Sequence, residues 1–185
     1  GLLLLGYNFI VAPAALIILS FFPLLAESRG YGSFLIGALL AIASVVTAIA
    51  QPIWGKIADE RGLAPLLMSG GFGSLATLSL LGLVDVLLVA VLATLLAGFT
   101  LAALVASAST AAVEAGKSRG MGAYMGLFHS AGSTGQAIMP LIYGLVLGTI
   151  GVDGLLVAVG IIVTIGSVSF LLSARIPRRS TASVV

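Results

Sequence analysis

The chain has 185 residues, of which 60% are hydrophobic and 8% charged, with a formal charge of +2, one histidine and no cysteine. Soluble domains carry about 25% charged residues, so the composition excludes a water-soluble globule and indicates an integral membrane protein. Without cysteine and with a single histidine, disulfides and thiolate or histidine metal clusters are excluded, and basic residues scattered among several breaks do not form a nucleic-acid-binding patch.

A bilayer core of about 30 Å needs about 20 apolar residues per helix, and the apolar runs have that length. A β-barrel would show ~10-residue alternating segments instead. Hydropathy predicts six spans at 3–25, 33–54, 65–84, 86–112, 122–148 and 154–174, one all-α bundle filling residues 1–185 with no soluble domain. No cofactor and no metal is expected; the expected surroundings are the lipid bilayer.

Span 1 carries Asn8 near its start, where an interfacial position is expected, and is followed by a break with one basic residue, Arg29. Span 2 places Gly37, Ala41, Ser44, Ala48, Gln51 and Gly55 on one helical face, because residues three and four apart share a side. The stretch QPIWGKIADERG follows, with Lys56, Asp59, Glu60 and Arg61 crowded between Gly55 and Gly62. The glycines permit a tight turn. Asp59 suits the partly positive N-terminus of a helix, which makes the stretch a cytoplasmic loop able to form and release a latch.

Span 3 is followed by Asp85 alone. Span 4 aligns Thr100, Ala103, Ser107, Thr110 and Glu114, then meets a short break with Lys117 and Arg119. There Glu114 reads as an interfacial ion-pair partner rather than a proton relay. Span 5 aligns Gly122, Gly126, His129, Ser133, Gln136 and Pro140 and ends before Asp153. Span 6 carries Gly160, Thr164 and Ser167 and is followed by Arg175, Arg178 and Arg179.

Small residues along a helix are packing seams, since they let backbones approach in lipid; Gly122, Gly126, Pro140 and Gly144 form the expected packing motif. Strong polar groups at membrane depth must find partners or water. Gln51, His129 and Gln136 are therefore candidates for a cavity, with Ser133, Asn8 and Glu114 beside them as substrate or coupling candidates. His129 leaves two readings open, a coupling group and a satisfied interhelical hydrogen bond.

Seven of the eight basic residues fall on one side of the six spans, and the positive-inside rule makes that side cytoplasmic. Both termini are then cytoplasmic, with the plasma membrane as the expected location. At an offset of about 90 residues, RGYG (Arg29 to Gly32) echoes RGMG (Arg119 to Gly122), and AIAQPIWG echoes AIMPLIYG. Three spans separate the copies, and an odd number reverses orientation, which predicts a 3+3 inverted repeat.

GKIADERG resembles the loop signature of the major facilitator superfamily, Gly-x-Leu-Ala-Asp-Arg-x-Gly-Arg-Arg. Gly55, Ala58, Asp59 and Gly62 match, Ile57 replaces Leu, and Arg61 keeps the stretch basic. The passage from Glu114 to Gly144 is similar to that from the fourth to the fifth helix of a half of such a protein, with Pro140 and Gly144 partly matching its Gly-Pro-x-x-Gly-Gly motif. The resemblance implies half of a major-facilitator fold, and a secondary transporter that moves a small solute by alternating access, with protons as the candidate coupling ion. It also implies a second six-helix half as partner, and cavity walls built from spans 1, 2, 4 and 5. Gly62 is followed by Leu63, Ala64 and Pro65 rather than basic residues, and span 4 lacks arginine; with Gly1 in place of an initiator Met, these departures favour the C-terminal half of a longer chain.

Two other classes compete: a channel or structural membrane subunit, and an intramembrane serine protease suggested by FHSAGSTG. The protease is disfavoured because His129 shares a helix with Ser130 and Ser133, whereas a base and its nucleophile usually come from separate elements.

Overall fold

The computed structural model describes residues 2–118 and 120–175, without the side chains of residues 15, 16, 18, 19, 174 and 175. Arg119, Arg178 and Arg179, which contribute to the expected orientation, lie outside the described residues. The described chain is all-helical: α1 (Leu2–Ser20), α2 (Phe22–Ser28), α3 (Ser33–Arg61), α4 (Ala64–Leu83), α5 (Leu87–Lys117) and α6 (Met121–Arg175).

Local chemistry explains the interruptions. A single helix was expected over 3–25, but the chain bends at Phe21 between α1 and α2. Pro23, in the first turn of α2, has no N–H to continue the α1 ladder. α6 is 55 residues long, far more than a bilayer core needs at ~1.5 Å per residue. It breaks at Gly151, whose φ of 71° and ψ of 175° suit glycine alone, giving a first limb (121–150) and a second limb (152–175).

The charged stretch after Gln51 is not a loop. α3 continues through Gly55, Ala58 and Asp59 to Arg61, and the turn is made by Gly62 alone, at φ 74°. Nothing between Ile53 and Arg61 breaks a helix, and Lys56 pairs with Glu60 one turn on, at 3.8 Å. Asp59 is exposed on this last part of α3.

Four helices, Ser33–Arg61, Ala64–Leu83, Leu87–Lys117 and Met121–Ser173, are long and apolar enough to cross a membrane, and Leu2–Ala14 is a shorter apolar segment. Together with the composition, these establish an integral membrane protein.

The helices meet at glycines and hydroxyls. α3 crosses α5 at Gly98, where a Cβ would lie 2.5 Å from the Ala43 carbonyl; Thr47 donates to the Gly98 carbonyl at 3.1 Å and Trp54 Nε1 to that of Phe99 at 3.0 Å. The second limb of α6 lies against α4, with Thr164 donating to the Gly71 carbonyl at 2.8 Å and Gly160 pressed on Leu75. α1 sits among α5 and both limbs of α6. Tyr7 stacks on Phe170 with centroids 5.0 Å apart and reaches Ser107 Oγ at 3.1 Å. Ser107 commits its own proton to the Leu104 carbonyl, so the Tyr7 hydroxyl is the donor.

Candidate functional site

α1, α5 and the first limb of α6 enclose an open cavity of about 240 Å³. α1 contributes Asn8, Val11 and Ala12, α5 contributes Leu101, Val105, Ala108 and Ser109, and α6 contributes Phe128, His129, Gly132, Ser133 and Gln136. The walls are mostly apolar, with amide, imidazole and hydroxyl groups concentrated on the α6 side.

Close approach of α1 and α6 builds this wall. A Cβ at Gly135 would strike the Phe9 carbonyl, and one at Gly132 would lie 2.7 Å from the Asn8 amide nitrogen. The space left at Gly132 lets Asn8 Nδ2 donate to the Phe128 carbonyl at 2.8 Å. One turn on, Gln136 Nε2 donates to the Ala12 carbonyl at 3.4 Å. Both side chains thus tie α6 to α1 while bordering the cavity. Asn8 is only 7% exposed, and its hydrogen bond makes it an interhelical anchor.

His129 and Ser133 are exposed on the same limb, and the imidazole meets the Phe128 ring edge-on at 5.5 Å between centroids. The structure therefore brings Asn8, His129, Ser133 and Gln136 together at one cavity. Gln51 and Glu114 do not line it: Gln51 is exposed on α3, and Glu114 accepts from Lys117 at 2.8 Å in an exposed pair at the end of α5.

The stripes sort into two kinds. On α5, Thr100, Ala103 and Ser107 are buried between helices, whereas the cavity face is Leu101, Val105, Ala108 and Ser109. Sequence reading missed Ser109, which lies one position from Thr110 in a helix where small residues occur all round. On α6, Gly122, Gly126 and Gly144 have open space where a Cβ would stand, so they seat no helix within the described chain. The glycines that pack against α1 are Gly132 and Gly135, where α6 meets Asn8 and Phe9. Most of the α3 stripe, Gly37, Ala41, Ser44, Ala48 and Gln51, is likewise exposed.

Among the described residues no cluster of three or more histidine, aspartate or glutamate side chains could hold a metal. The cavity presents hydrogen-bonding groups on an otherwise apolar wall.

A family model described as Major Facilitator Superfamily matches residues 3–184. The staphyloferrin B transporter of Staphylococcus aureus (strain NCTC 8325 / PS 47) is 29% identical over 152 residues, covering 80% of this chain and 36% of that protein. The multi-drug resistance efflux pump PmrA of Streptococcus pneumoniae serotype 4 is 28% identical over 75 residues, covering 38% of this chain and 19% of the pump. These matches span about a third or less of each relative's length. No solved structure gave a significant match.

Proposed function

Because the chain belongs to the major facilitator superfamily, we propose that it forms one six-helix half of a secondary transporter, which carries a small solute by alternating access rather than performing chemistry. The observation that carries this reading is the cavity in which Asn8, His129, Ser133 and Gln136 meet on α1 and α6. Carrier sites form at the interface between repeats near the membrane midplane, and polar groups at that depth are costly unless they face partners or water.

The positive-φ glycines support a 3+3 inverted repeat. Gly30 (φ 80°) and Gly120 (φ 84°) stand before α3 and α6, and Gly62 (φ 74°) and Gly151 (φ 71°) end α3 and the first limb of α6. Each pair is separated by about 90 positions. α1 with α2, α3 and α4 then correspond in order to α5 and the two limbs of α6, which makes six spans.

The exposed stripes of α3 and of the first limb of α6 are the faces for the other half, with Gln51 beside the cavity's mouth in that assembly. The departures at Leu63, Ala64 and Pro65 and the lack of arginine in α5 support assignment to the C-terminal half. Asp59 is the anion that pairs across the cytoplasmic surface, in the plasma membrane, with both termini cytoplasmic.

The relatives' names refer to different cargoes, staphyloferrin B and multiple drugs, so the cavity is the better guide. Its apolar walls and one-sided hydrogen-bonding groups suit a small solute that is largely apolar with a few polar atoms. His129 is the candidate proton-coupling group, since its imidazole borders the cavity.

Solute counterflow in proteoliposomes carrying the full-length protein tests the reading. A carrier shows saturable flux accelerated by solute on the opposite side; flux proportional to concentration with no such acceleration would assign a channel instead. His129→Gln keeps hydrogen bonding without titration and is expected to remove the pH dependence of transport while solute exchange continues. An unchanged pH profile would move coupling to the other half.

A further inference from the structure

Away from the cavity, one arginine holds three turns together. Arg29 caps α2 and its side chain is 14% exposed. Nη1 donates to the carbonyls of Leu81 at 2.8 Å and Val84 at 3.1 Å, and Nη2 donates to the carbonyl of Gly82. Nη2 also reaches Asp153 Oδ1 at 3.3 Å, and Nε faces Asp85 Oδ1 at 3.8 Å.

A guanidinium has five N–H donors in a fixed fork, and here five partners lie around it. The carbonyls belong to the end of α4, where the last C=O groups have no helical partner, and a cation is favoured at that end of the helix. Asp85 lies in the turn before α5, and Asp153 stands two residues after the Gly151 break. An independent contact closes the same junction: Gly82 is buried, and a Cβ there would lie 3.0 Å from the Asp153 carbonyl.

We propose that Arg29 is a positioning residue for transport, a clasp that makes the α2, α4–α5 and Gly151 turns one rigid platform at the end of the bundle opposite Gly62. The first limb of α6 bears the polar cavity wall and pivots from this platform at Gly151; α2, held by the same side chain, continues into α1, which bears the facing wall. The clasp therefore fixes the two walls relative to each other when this half moves against its partner. A lysine could not substitute, because a point charge with three donors cannot serve three carbonyls and two carboxylates at once.

The test uses the full-length carrier with spin labels at Val86→Cys and Ile150→Cys, in a region that has no cysteine of its own. The parent is expected to show one narrow distance distribution. Arg29→Gln and Arg29→Lys are both expected to broaden it, and to lower maximal solute exchange per folded molecule by about tenfold with half-saturation changed less than about twofold. Asp153→Asn removes one exposed partner and is expected to broaden the distribution less, which keeps the test open if the Arg29 variants fold poorly.

Variants with a lower unfolding midpoint but parental distances and parental exchange per folded molecule would reduce Arg29 to a structural residue and overturn the proposal. Full rescue by Arg29→Lys would overturn the fork as its basis. The kinetic arm rests on the transporter reading; if the parent itself moves no solute, that reading fails and the distance distributions alone decide the clasp.

Discussion

Glycine is the residue whose role here varies most with position. At Gly135 a methyl group would collide with the Phe9 backbone, which cannot turn aside, whereas at Gly132 it would meet the Asn8 amide, which can. Overpacking costs about 1–3 kcal/mol, so Gly135→Ala is expected to lower the unfolding midpoint in detergent more than Gly132→Ala. Gly144→Ala enters open space and removes a helix-interior glycine, a gain of about 0.5–1 kcal/mol; its midpoint should hold or rise. Equal losses in all three variants would contradict the packing described. Thr77 supplies a second case: it is 1% exposed, and its Oγ1 has no hydrogen-bond partner among the described residues. An isosteric apolar replacement of an unsatisfied hydroxyl is neutral or stabilising, so Thr77→Val should not lower the midpoint. A clear drop would mean that the hydroxyl is bridged by water to its neighbours Ser74 and Thr100.

At the scale of elements, the end of α3 separates what a motif says from what a helix does. GKIADERG is recognisable from its letters, but its two flanking glycines are not equivalent. Gly55 lies inside the helix with open space around its missing Cβ, and Gly62 holds φ 74° and ψ −168°. That conformation is nearly closed to other residues, at about 1–3 kcal/mol. Gly62→Ala should therefore lower the unfolding midpoint and disturb the α3–α4 turn, while Gly55→Ala, like Gly144→Ala, should hold or raise the midpoint. If Gly55→Ala nevertheless impairs transport, its open face is used by the other half. The bend at Phe21 coincides with Pro23, but Pro13, Pro52 and Pro140 sit inside continuous helices, so a proline in the letters does not by itself mark a bend.

At the scale of the molecule, the basic residues and the turn geometry make opposed predictions for the two ends of the bundle. Val86 lies in the turn beside Arg29, and Ser118 in the turn after α5; both are exposed. With the basic side cytoplasmic, an impermeant thiol reagent added to intact cells should label Val86→Cys and leave Ser118→Cys protected. The reverse pattern would invert the bundle and with it the assignment of Asp59 to the cytoplasmic surface.

Membrane class and family membership were legible from the letters, because a bilayer imposes a composition on any chain that crosses it, and because GKIADERG is a local pattern. Which face of each helix does what was decided by the tertiary structure. In water, burial writes itself as alternation between apolar and polar; in lipid, packed and lipid-facing positions are both apolar, so the stripes of α3, α5 and α6 looked alike. Only the approach of α1 to α6 makes Gly132 and Gly135 the contacts, sets Asn8, His129, Ser133 and Gln136 around one cavity, and leaves Gly122, Gly126 and Gly144 open. Arg29 stood in the sequence as the one basic residue on its side of the spans. Its partners at Leu81, Gly82, Val84, Asp85 and Asp153 lie 52 to 124 positions away, and only folding brings three turns within the span of one guanidinium.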